Sequence, residues 1–548
     1  MALMVKYGPP RGMWPEFKLD FPEAEKWPEK LNVTQFLIDK NIIEGRGDKT
    51  AILHGSQRIT FNELYEMVCS FSRALKSLGV EYGDRVILRL PNIPEFVICH
   101  LAAQRIGAVS VPIFPWYRAR EIAYVANDCE AKVFVTLSGL IKDVQEIQSE
   151  LRTVKHLIVV DNEKDGVDEK YLSFSGLMER FRGKSESEAV RLHQDEMALL
   201  LYTSGTTGRP KGCIHAHREY LAVAECYFGK VVLLSDKDIC GGPSSLAFAF
   251  GHGSLLALYF GGAVSLYGNR KFEPNLMFRL IEEHGITVLL AVPSAYRAMV
   301  TCRDEARHYD FSSLRVCISA GEHLPASLYE EVKGLFGCEV LNGLGTTELM
   351  HIFISNRIGA VKPGSLGLPV PSYEVKVLDD AGRELYSNQI GHLAVKGPTG
   401  IRYWRRDDEQ AKYVKHGFNY TGDLAYIDED GFFWFVGRGD DIIKTAGYRV
   451  SPQEVEEILA KHSAISEVAV IGKPHPELGQ IVKAFVVLKP GFKPSAELER
   501  DIISFVKASM APYKAPREIK FIDELPKTPT GKIRRKELAV MEKQGDMQ

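Results

Sequence analysis

The pattern of apolar and polar positions along this 548-residue chain predicts a large body built from alternating strands and helices. In residues 85–112 (RVILRLPNIPEFVICHLAAQRIGAVSVP), an apolar run precedes a helical segment that begins near Pro94 and ends at Gly107, and a second apolar run follows. This order is typical of a βαβ unit. Residues 286–300 and 314–336 repeat the change from strand to helix. The body is therefore predicted to be of the α/β class.

A similar pattern recurs further along the chain. Within residues 243–267, the stretch GSLLALYFGGAVSLY has the same order as HLAAQRIGAVSV, with an apolar helix, a glycine, Ala-Val-Ser and a strand. This similarity predicts two related subdomains packed side by side in the body. The alternative is that so short a match arises by chance.

The order of predicted strands and helices changes after about Gly437. Ser451, Pro452 and Glu454 form a capping box with proline at the first helical position. Two β-rich stretches, 467–472 and 481–488, and a helical stretch, 496–510, then follow. The C-terminal part is predicted to be a small, mobile α+β domain.

The boundary between the two parts is predicted within residues 437–449 (GRGDDIIKTAGYR), where glycines and charged residues lie between structured regions. An inert linker is the alternative, but Ile442, Ile443 and Lys444 resemble a strand rather than a linker. We therefore predict a body over 1–438, a hinge at 439–441 and a C-terminal lid over 442–548.

Composition excludes several classes of protein. A hydrophobic content of 45% and a charged content of 25% are those of a globular protein, and the formal net charge of −3 argues against a general nucleic-acid surface. Any binding of phosphate must therefore be confined to a local site.

The length alone would fit three or four compact units, or a two-body enzyme with a composite first part.

The nine cysteines are scattered without CxxC pairs, which indicates reduced, mostly buried thiols and makes a structural zinc site improbable. The N-terminus MALMVKYGPPRGMW lacks a long apolar segment and contains Pro9 and Pro10, so it does not resemble a secretory signal. No run of about twenty apolar residues is present to span a bilayer. The sequence therefore predicts a cytoplasmic protein without a membrane partner.

Residues 202–212 (YTSGTTGRPKG) form the most informative motif, and they follow a buried strand predicted over 197–201 (MALLL). Glycines free the backbone to curl, hydroxyl groups donate hydrogen bonds, and a lysine adds a mobile charge. These residues are Thr203, Ser204, Gly205, Thr206, Thr207, Gly208 and Lys211. A Walker loop is excluded because Pro210 and Gly212 flank the lysine. A polyphosphate-binding loop is predicted; a surface linker is the alternative.

Five further motifs follow in order. The stretches 319–325 (SAGEHLP) and 342–349 (NGLGTTEL) each come after a predicted parallel strand, where α/β sheets place their ligand loops. Residues 419–424 (NYTGDL) put a carboxylate in a tight turn, residues 437–447 hold several charges, and residues 526–534 (PKTPTGKIR) present a lysine after a glycine.

With these six motifs in this order over more than 300 residues, the chain resembles the adenylate-forming superfamily of acyl- and aryl-CoA synthetases, peptide-synthetase adenylation domains and luciferases. The resemblance covers nearly the whole length. It implies that the residues of the first loop hold the β- and γ-phosphates of ATP, that Thr347 contacts the α-phosphate, and that Glu348 coordinates Mg²⁺. It also implies a nucleoside site formed by Gly321, Glu322, His323, Asn342, Asp423 and Arg438, in which Asp423 accepts from the ribose hydroxyls.

The resemblance further implies that Lys532 is the catalytic cation. Attack of a carboxylate on the α-phosphate builds negative charge, which a positioned cation stabilises. The alternative is that Lys532 belongs to a solvated basic tail. Asp440 matches the hinge residue of the family, about which the lid would rotate to bring Lys444 and Gly447 towards the thiol of coenzyme A.

The substrate is indicated by two segments. Residues 343–356 (GLGTTELMHIFISN) and 248–253 (FAFGHG) resemble benzoate- and 2-aminobenzoate-CoA ligases, including an aliphatic Leu344 where many relatives have an aromatic residue. By that resemblance the residues that border the acid are Phe248, Phe250, Gly345 and His351. Core packing of the two phenylalanines and a purely structural histidine are the alternatives.

The leading prediction is an ATP- and Mg²⁺-dependent ligase that joins a small-molecule carboxylic acid to coenzyme A and releases AMP and pyrophosphate from ATP. An aromatic acid is favoured. A ligase of medium or branched-chain fatty acids and a stand-alone enzyme that loads a carrier protein are alternatives, and a luciferase-like oxidase rests on kinship of fold alone. A non-catalytic nucleotide-binding regulator is the alternative from another class. The oligomeric prediction is a monomer or homodimer, without a nucleic-acid partner.

Overall fold

The computed structural model describes residues 2–160, 171–183, 188–203, 210–268, 271–439, 441–445, 448–527 and 533–545. Eight of the predicted site residues lie outside these ranges. They are Ser204, Gly205, Thr206, Thr207, Gly208, Asp440, Gly447 and Lys532.

The chain folds as two compact units. The first comprises Met1–Val375 with Val395–Asn419, and the second comprises Lys376–Ala394 with Tyr420–Gln548. The hinge predicted at 439–441 stays a prediction.

A seven-stranded sheet in the first unit contains the βαβ unit predicted over 85–112. Strand Arg85–Arg89, helix Pro94–Arg105 and strand Val109–Pro112 confirm that prediction, with Pro94 at the start of the helix and Gly107 at a φ of 78° after its end. The strands in spatial order are Lys211–Ala216, Met197–Thr203, Val109–Pro112, Arg85–Arg89, Ala131–Leu137, His156–Val160 and Leu172–Ser173. All neighbouring pairs are parallel except the first.

A nine-stranded sheet forms the other half of the first unit. Its strands in spatial order are Leu368–Pro369, Ile352–Ser355, Glu339–Gly345, Val316–Ser319, Val288–Ala291, Ile239–Gly242, Ala263–Leu266, Thr50–His54 and Gln57–Thr60. The six central strands, from Glu339–Gly345 to Thr50–His54, run parallel. Helices Pro293–Thr301 and Ala326–Phe336 follow two of them, which confirms the strand-to-helix units predicted from the sequence.

The internal similarity is partly confirmed, because Val109–Pro112 and Ala263–Leu266 lie in different sheets of the first unit. The segment before the second of these strands is helical, as predicted. Gly253–Phe260 is a 3₁₀ helix that follows a short α-helix, Ala249–His252. Nearly every side chain of this segment is buried, so its packing and not an amphipathic period fixes the tighter turns.

The remaining helices of the first unit cover the sheets. The longest, Phe61–Ser77, begins at a capping box between Thr60 and Glu63. Among the described residues, the other α-helices of the first unit are Ala2–Tyr7, Lys40–Ile43, Ala119–Asp128, Ile141–Glu146, Phe174–Phe181, His217–Val223, Pro274–His284, Arg303–Ala306 and Asp407–Tyr413. In the ranges that the structure describes, no helix is both long enough and apolar enough to cross a lipid bilayer.

The second unit has the predicted α+β character. The predicted stretches 467–472 and 481–488 are the centres of one long hairpin, Ile465–His475 and Gly479–Leu488, which extends further because Lys473, Pro474 and His475 continue the pairing. The other elements of its C-terminal part are strands Ile443–Thr445, Tyr448–Val450 and Glu518–Phe521 and helices Pro452–Leu459, Ala496–Ser509 and Arg535–Gly545. Strands Glu374–Leu378, Gly391–Lys396, Phe418–Ile427 and Phe433–Arg438 precede them.

Candidate active site

The predicted ligand loops follow the carboxyl ends of strands, as expected for α/β sheets. Strand Val316–Ser319 leads to Gly321, and its parallel neighbour Glu339–Gly345 leads to Thr347 and Glu348. These two loops therefore lie side by side at one edge of the nine-stranded sheet.

The ends of the predicted polyphosphate loop are held together by a hairpin. Met197–Thr203 pairs antiparallel with Lys211–Ala216, and the register places Thr203 opposite Lys211. The hydroxyl of Tyr202 donates to Asp128 at 2.6 Å. The predicted buried strand over 197–201 is thereby confirmed, and both described loop ends come from adjacent strands.

The ammonium group of Lys211 has a carboxylate partner. Lys211 and Glu409 form an ion pair whose side chains are 8% and 11% exposed. The ammonium nitrogen also lies 5.2 Å from the ring centroid of Tyr413. Burial acts to raise the pKa of Glu409, but hydrogen bonds from Lys211 and Lys412 hold that pKa below its usual range. A phosphate group bound by Lys211 would therefore compete with Glu409.

Glu348 is held by a residue that the sequence motifs did not indicate. It lies in the short 3₁₀ helix Thr347–Leu349, which Thr346 caps by accepting a hydrogen bond from the backbone of Leu349 at 3.2 Å. The buried Tyr403 hydroxyl donates to Glu348 Oε1 at 3.0 Å. Burial, reinforced by the carboxylate, raises the pKa of Tyr403, so the phenol remains a donor at neutral pH.

The segment predicted to line the adenine is attached to a helix start. The carboxylate of Glu322 accepts hydrogen bonds from the backbone nitrogen and the hydroxyl of Ser294, at 2.9 and 3.0 Å. Gly321 has a φ of 87°, a conformation that favours glycine. His323 is partly buried beside them. Glu322 thus fixes the loop, whereas its predicted contact with adenine stays a prediction.

Asn342 has a structural role in the neighbouring strand. Its side-chain nitrogen donates to the backbone oxygen of Ser365 at 2.8 Å, and its own backbone oxygen accepts from the backbone of Asn356 at 2.9 Å. The side-chain oxygen is buried and has no hydrogen-bond partner among the residues that the structure describes. This oxygen is the atom through which Asn342 could contact a ligand.

His351 lies in an aromatic enclosure. Its ring centroid is 5.2 Å from that of Tyr227, 5.0 Å from that of Phe228 and 6.1 Å from that of Phe250. Burial lowers the pKa of His351 to about 3, although the backbone of Phe250 acts in the opposite direction. Neither ring nitrogen has a hydrogen-bond partner within the described ranges. The imidazole is therefore neutral, and its Nε2 packs against Gly253.

Two glycines make room for this histidine. A Cβ atom at Gly253 would lie 2.2 Å from Nε2 of His351, and one at Gly345 would lie 2.6 Å from its backbone oxygen. Gly345 thus permits close approach of two strands. Gly345 was also predicted to border the acid substrate, and this packing is compatible with that prediction.

Phe248 and Phe250 are only partly buried, which favours the predicted pocket wall over core packing. Phe248 stacks on Phe114 with centroids 5.3 Å apart and an interplanar angle of 30°. Sequence reasoning did not identify Phe114, because only the fold brings it to this segment. The two phenylalanines and Phe114 present flat apolar surfaces.

A buried polar network supports the segment after Phe250. The hydroxyl of Tyr220 lies 3.1 Å from Nε2 of His252, 3.2 Å from Nε2 of His100 and 2.8 Å from the side-chain nitrogen of Gln104. Nδ1 of His252 lies 3.0 Å from the backbone oxygen of Leu246. These hydrogen bonds fix the turn that carries the phenylalanines.

In the second unit, the structure brings Asp423 and Arg438 together. They are opposite each other on antiparallel strands, and Nη1 of Arg438 donates to Oδ1 of Asp423 at 3.0 Å. Arg438 also donates to the backbone oxygen of Thr421 at 3.1 Å. Lys444 is exposed on strand Ile443–Thr445, and its backbone nitrogen donates to Gln480 at 2.8 Å. The pairing of Asp423 with Arg438 is compatible with their predicted place in the nucleoside site, which stays a prediction.

The metal prediction rests on one carboxylate. Among the described residues, no group of three His, Cys, Asp or Glu side chains could hold a metal ion. Glu348 nevertheless fits Mg²⁺, because this hard cation binds through one or two protein carboxylates together with substrate phosphates and water. All nine cysteines are free thiols, and all but Cys302 are buried, as predicted.

Comparison with known proteins agrees with this arrangement. The family model described as "AMP-binding enzyme" matches residues 40–404, and that described as "AMP-binding enzyme C-terminal domain" matches residues 454–532. The benzoate–CoA ligase of Thauera aromatica is 33% identical over 519 residues, which cover 94% of this chain and 97% of the relative. The acetyl-coenzyme A synthetase of Bacillus subtilis (strain 168) is 35% identical over 532 residues, which cover 94% and 91%.

A solved structure is similar over nearly its whole length. The crystal structure of the anthranilate CoA ligase AuaEII in complex with anthranoyl-AMP superimposes with a TM-score of 0.89 at 34% identity, covering 96% of this chain and 99% of that one. Enzymes of this group use ATP and coenzyme A, and the fold predicted from the sequence is the one observed. The chain belongs to the AMP-binding enzyme family, within its branch of AMP-forming acid–CoA ligases.

Proposed function

We propose that this ligase activates an aromatic acid, such as benzoate or an aminobenzoate, and transfers it to coenzyme A. One observation carries the proposal. Glu348 and His351 stand on the same tight turn, where Met350 has a φ of 68°, so the candidate metal carboxylate and the aromatic enclosure are three residues apart. The similarity to a benzoate–CoA ligase and to an anthranilate CoA ligase supports this choice of acid.

The proposed reaction has two steps. An oxygen of the acid forms a bond to the α-phosphorus of ATP, and the bond from that phosphorus to the β-phosphate oxygen breaks, which releases pyrophosphate. The thiol sulfur of coenzyme A, after losing its proton, then attacks the acyl carbon and releases AMP. Positive groups that face the phosphates contribute most in the first step, because charge accumulates there.

We assign the residues as follows. Lys211 and the hydroxyls of the loop from Thr203 to Thr207 hold the β- and γ-phosphates, Thr347 contacts the α-phosphate, and Glu348 holds Mg²⁺. The residues assigned to the nucleoside are Gly321, Glu322, His323, Asn342, Asp423 and Arg438. Mg²⁺ would neutralise phosphate charge when bound, and Lys532 supplies the cation from the chain itself.

The acid is assigned to the enclosure formed by Phe248, Phe250, Gly345 and His351. Flat apolar walls favour an aryl group, and the neutral imidazole can accept or donate one hydrogen bond to a ring substituent. The ring nitrogens have no hydrogen-bond partner among the described residues, which supports this assignment, since buried polar groups are normally paired. An amino or hydroxyl substituent would satisfy one of them.

We propose that the C-terminal domain over 442–548 acts as a lid, which is joined to a body over 1–438 by a hinge at 439–441. Rotation about Asp440 would remove Lys532 after the first step and present Lys444 and Gly447 to the thiol. An enzyme that makes a hydrolysable acyl-adenylate benefits from such an exchange, because the first step proceeds in a closed site.

A short aliphatic acid is the second candidate, because the chain is 35% identical to an acetyl-coenzyme A synthetase. Exchange of ³²P between pyrophosphate and ATP, driven by benzoate, 2-aminobenzoate, hexanoate, isobutyrate or acetate, separates the candidates. We expect exchange with the aromatic acids and AMP release only when coenzyme A is added. Preference for acetate or hexanoate would overturn the aromatic assignment, and exchange without CoA-dependent AMP release would favour loading of a carrier protein.

A further inference from the structure

The backbone between Glu348 and His351 is closed by a γ-turn. The backbone nitrogen of His351 donates to the backbone oxygen of Leu349 at 2.8 Å, and Met350 between them has a φ of 68° and a ψ of −37°. A γ-turn whose central residue has a positive φ is rare and strained, and residues with a side chain seldom adopt this φ. Strained backbone persists only where the surrounding structure holds it in place. Contacts from outside the turn must therefore support it.

Thr399 supplies such a contact from 50 residues further along the chain. Its hydroxyl donates to the same backbone oxygen of Leu349 at 2.9 Å. Thr399 and Leu349 are both fully buried, so removing the hydroxyl would leave this contact without a replacement from solvent. The oxygen of Leu349 thus accepts two hydrogen bonds, one that closes the turn and one that ties the turn to the segment that contains Thr399.

A second buried hydroxyl fixes the direction of this hydrogen bond. The hydroxyl oxygen of Tyr373 lies 2.8 Å from Oγ1 of Thr399. Because the carbonyl oxygen of Leu349 can only accept, the proton of Thr399 points towards it, and the Tyr373 hydroxyl donates to Thr399. Burial raises the pKa of Tyr373, so its hydroxyl keeps its proton at neutral pH. The three groups form one chain of hydrogen bonds that ends at the turn.

The turn is therefore held at two points by residues 399–403, and all of these residues belong to the first unit. Tyr403 donates to the carboxylate of Glu348 and restrains that side chain alone. Thr399 instead holds the backbone from which both Glu348 and His351 project. Loss of the Tyr403 contact should affect one side chain, whereas loss of the Thr399 contact should affect both.

We propose that Thr399 is a positioning residue for the activation of the acid: its hydrogen bond to Leu349 holds the γ-turn at Met350 and so keeps the metal carboxylate and the acid pocket in register. The inference rests on the proposed roles of Glu348 and His351. Because a displacement of about 1 Å can cost up to roughly a hundredfold in rate, a relaxed turn should disturb the binding of Mg²⁺ and of the acid together.

The test compares Thr399→Val, which keeps the shape of the side chain but removes the donor, with Thr399→Ser, which keeps the donor. Pyrophosphate exchange of the full-length enzyme is measured against the concentrations of Mg²⁺ and of benzoate. In Thr399→Val, we expect the half-saturating Mg²⁺ concentration and the KM for benzoate each to rise about tenfold, because a buried acceptor loses its partner. In Thr399→Ser, both constants should stay within about twofold of the wild type.

Thr153→Val is the matched control for a general loss of stability. The hydroxyl of Thr153 also donates to a backbone oxygen, that of Ala131 at 2.8 Å, but this bond lies in the seven-stranded sheet, whereas the turn follows a strand of the nine-stranded sheet. The control should lower the melting temperature and leave both constants within about twofold of the wild type. If Thr399→Val does not fold, Tyr373→Phe removes only the far donor of the chain and should raise both constants about threefold.

A double-mutant cycle tests whether the hydrogen bond acts on the strained turn. Glycine adopts a positive φ readily, so Thr399→Val added to Met350→Gly should raise the two constants only about twofold. An equal effect in both backgrounds would overturn the inference. So would a change in only one constant, or an effect of Thr399→Val no larger than that of Thr153→Val.

These outcomes leave the proposed function intact as long as the wild type exchanges pyrophosphate with benzoate. If the wild type exchanges only with an aliphatic acid, the proposed choice of acid fails, and the same variants test the inference with that acid.

Discussion

The hydroxyl of Tyr403 donates a hydrogen bond to Glu348 across 55 residues of sequence, with 3.0 Å between the oxygens. Because Tyr403 is buried and its pKa is raised, the donor does not ionise in the physiological range. The hydrogen bond therefore restrains the rotation of the carboxylate that we assign to Mg²⁺. A restrained ligand binds with a smaller loss of conformational freedom than a free one.

Replacing this donor tests the metal assignment. Tyr403→Phe should reduce pyrophosphate exchange by about tenfold at limiting Mg²⁺, since a hydrogen bond to a charged group contributes about 1.5–3 kcal/mol. Raising the Mg²⁺ concentration should recover most of the activity. Glu348→Gln, by contrast, should lose activity that Mg²⁺ does not restore. An unchanged Mg²⁺ dependence in Tyr403→Phe would contradict the assignment.

The ion pair between Lys211 and Glu409 predicts a link between stability and ATP. Glu409→Gln leaves a buried ammonium group without its carboxylate, which should reduce the free energy of unfolding by about 3 kcal/mol. If Lys211 holds phosphate, ATP supplies the missing anion, so ATP should raise the melting temperature of the variant more than that of the wild type. Thermal denaturation with and without ATP measures this. Equal shifts would show that Lys211 does not contact the phosphates.

The enclosure of His351 predicts the effect of one added methyl group. In Gly253→Ala, the new Cβ would lie 2.2 Å from Nε2 of His351, and Tyr227 and Phe228 leave the ring little room to move. The KM for the aromatic acid should rise about tenfold, while the KM for ATP stays near its wild-type value. Gly334→Ala is the control, because a Cβ there meets nothing within 4 Å on helix Ala326–Phe336. Parallel changes in both KM values would argue against an acid pocket at His351.

The hinge hypothesis predicts a difference between the two half-reactions. Asp440→Pro fixes φ at this position and should slow thioester formation by about tenfold or more while pyrophosphate exchange changes little. Asp440→Ala keeps the rotational freedom and serves as the matched variant. Rapid-quench measurement of each half-reaction distinguishes the two, and equal slowing of both steps by the proline would eliminate the hinge.

A buried histidine outside the proposed machinery predicts a loss of stability in acid. Burial, opposed by Glu196, lowers the pKa of His217 from 6.5 to about 4, and its Nδ1 accepts from the backbone of Val33 at 3.3 Å. As the pH falls, His217 therefore takes up a proton in the unfolded chain before it does so in the folded chain. The contribution of His217 to the free energy of unfolding is complete above pH 6.5 and declines as the pH falls towards 4. This histidine should account for about 2 kcal/mol of the stability lost between pH 7 and pH 5.

His217→Gln keeps a hydrogen-bond acceptor but does not titrate. Denaturant unfolding at pH 7 and pH 5 should show that the variant loses about 2 kcal/mol less free energy of unfolding between these pH values than the wild type does. The same difference in both proteins would mean that His217 remains accessible to protons in the folded state.

Local patterns in the sequence predicted the strand-and-helix order well where the pattern and the tertiary contacts agree. Pro94 and Gly107 mark the helix between two strands, and Ser451 with Glu454 marks the start of helix Pro452–Leu459. Gly253–Phe260 is helical as predicted, but the sequence did not indicate its 3₁₀ form, because a segment buried on all sides has no polar face to show its period. Long-range packing decides its conformation.

The residues that the sequence failed to identify all act through distant partners. Tyr403 and Glu409 are ordinary residues within their own segments, and their importance comes from Glu348 and Lys211. Motif spacing could locate residues assigned to ligands, since these lie in loops of fixed chemistry. It could not locate the side chains that hold them, because a hydrogen bond across 55 residues leaves no local pattern.

The turn that joins Glu348 to His351 has a consequence for how substrate preference can change. The backbone reverses at Met350, and the proposed assignments place the residues of the phosphates and Mg²⁺ before it and the residue of the acid pocket after it. We therefore expect that a substitution at position 351 can alter which acid is accepted without moving Thr347 or Glu348. Such an arrangement would let one catalytic scaffold diversify into enzymes for different acids through few substitutions, as relatives named for benzoate and for acetate at similar identity illustrate.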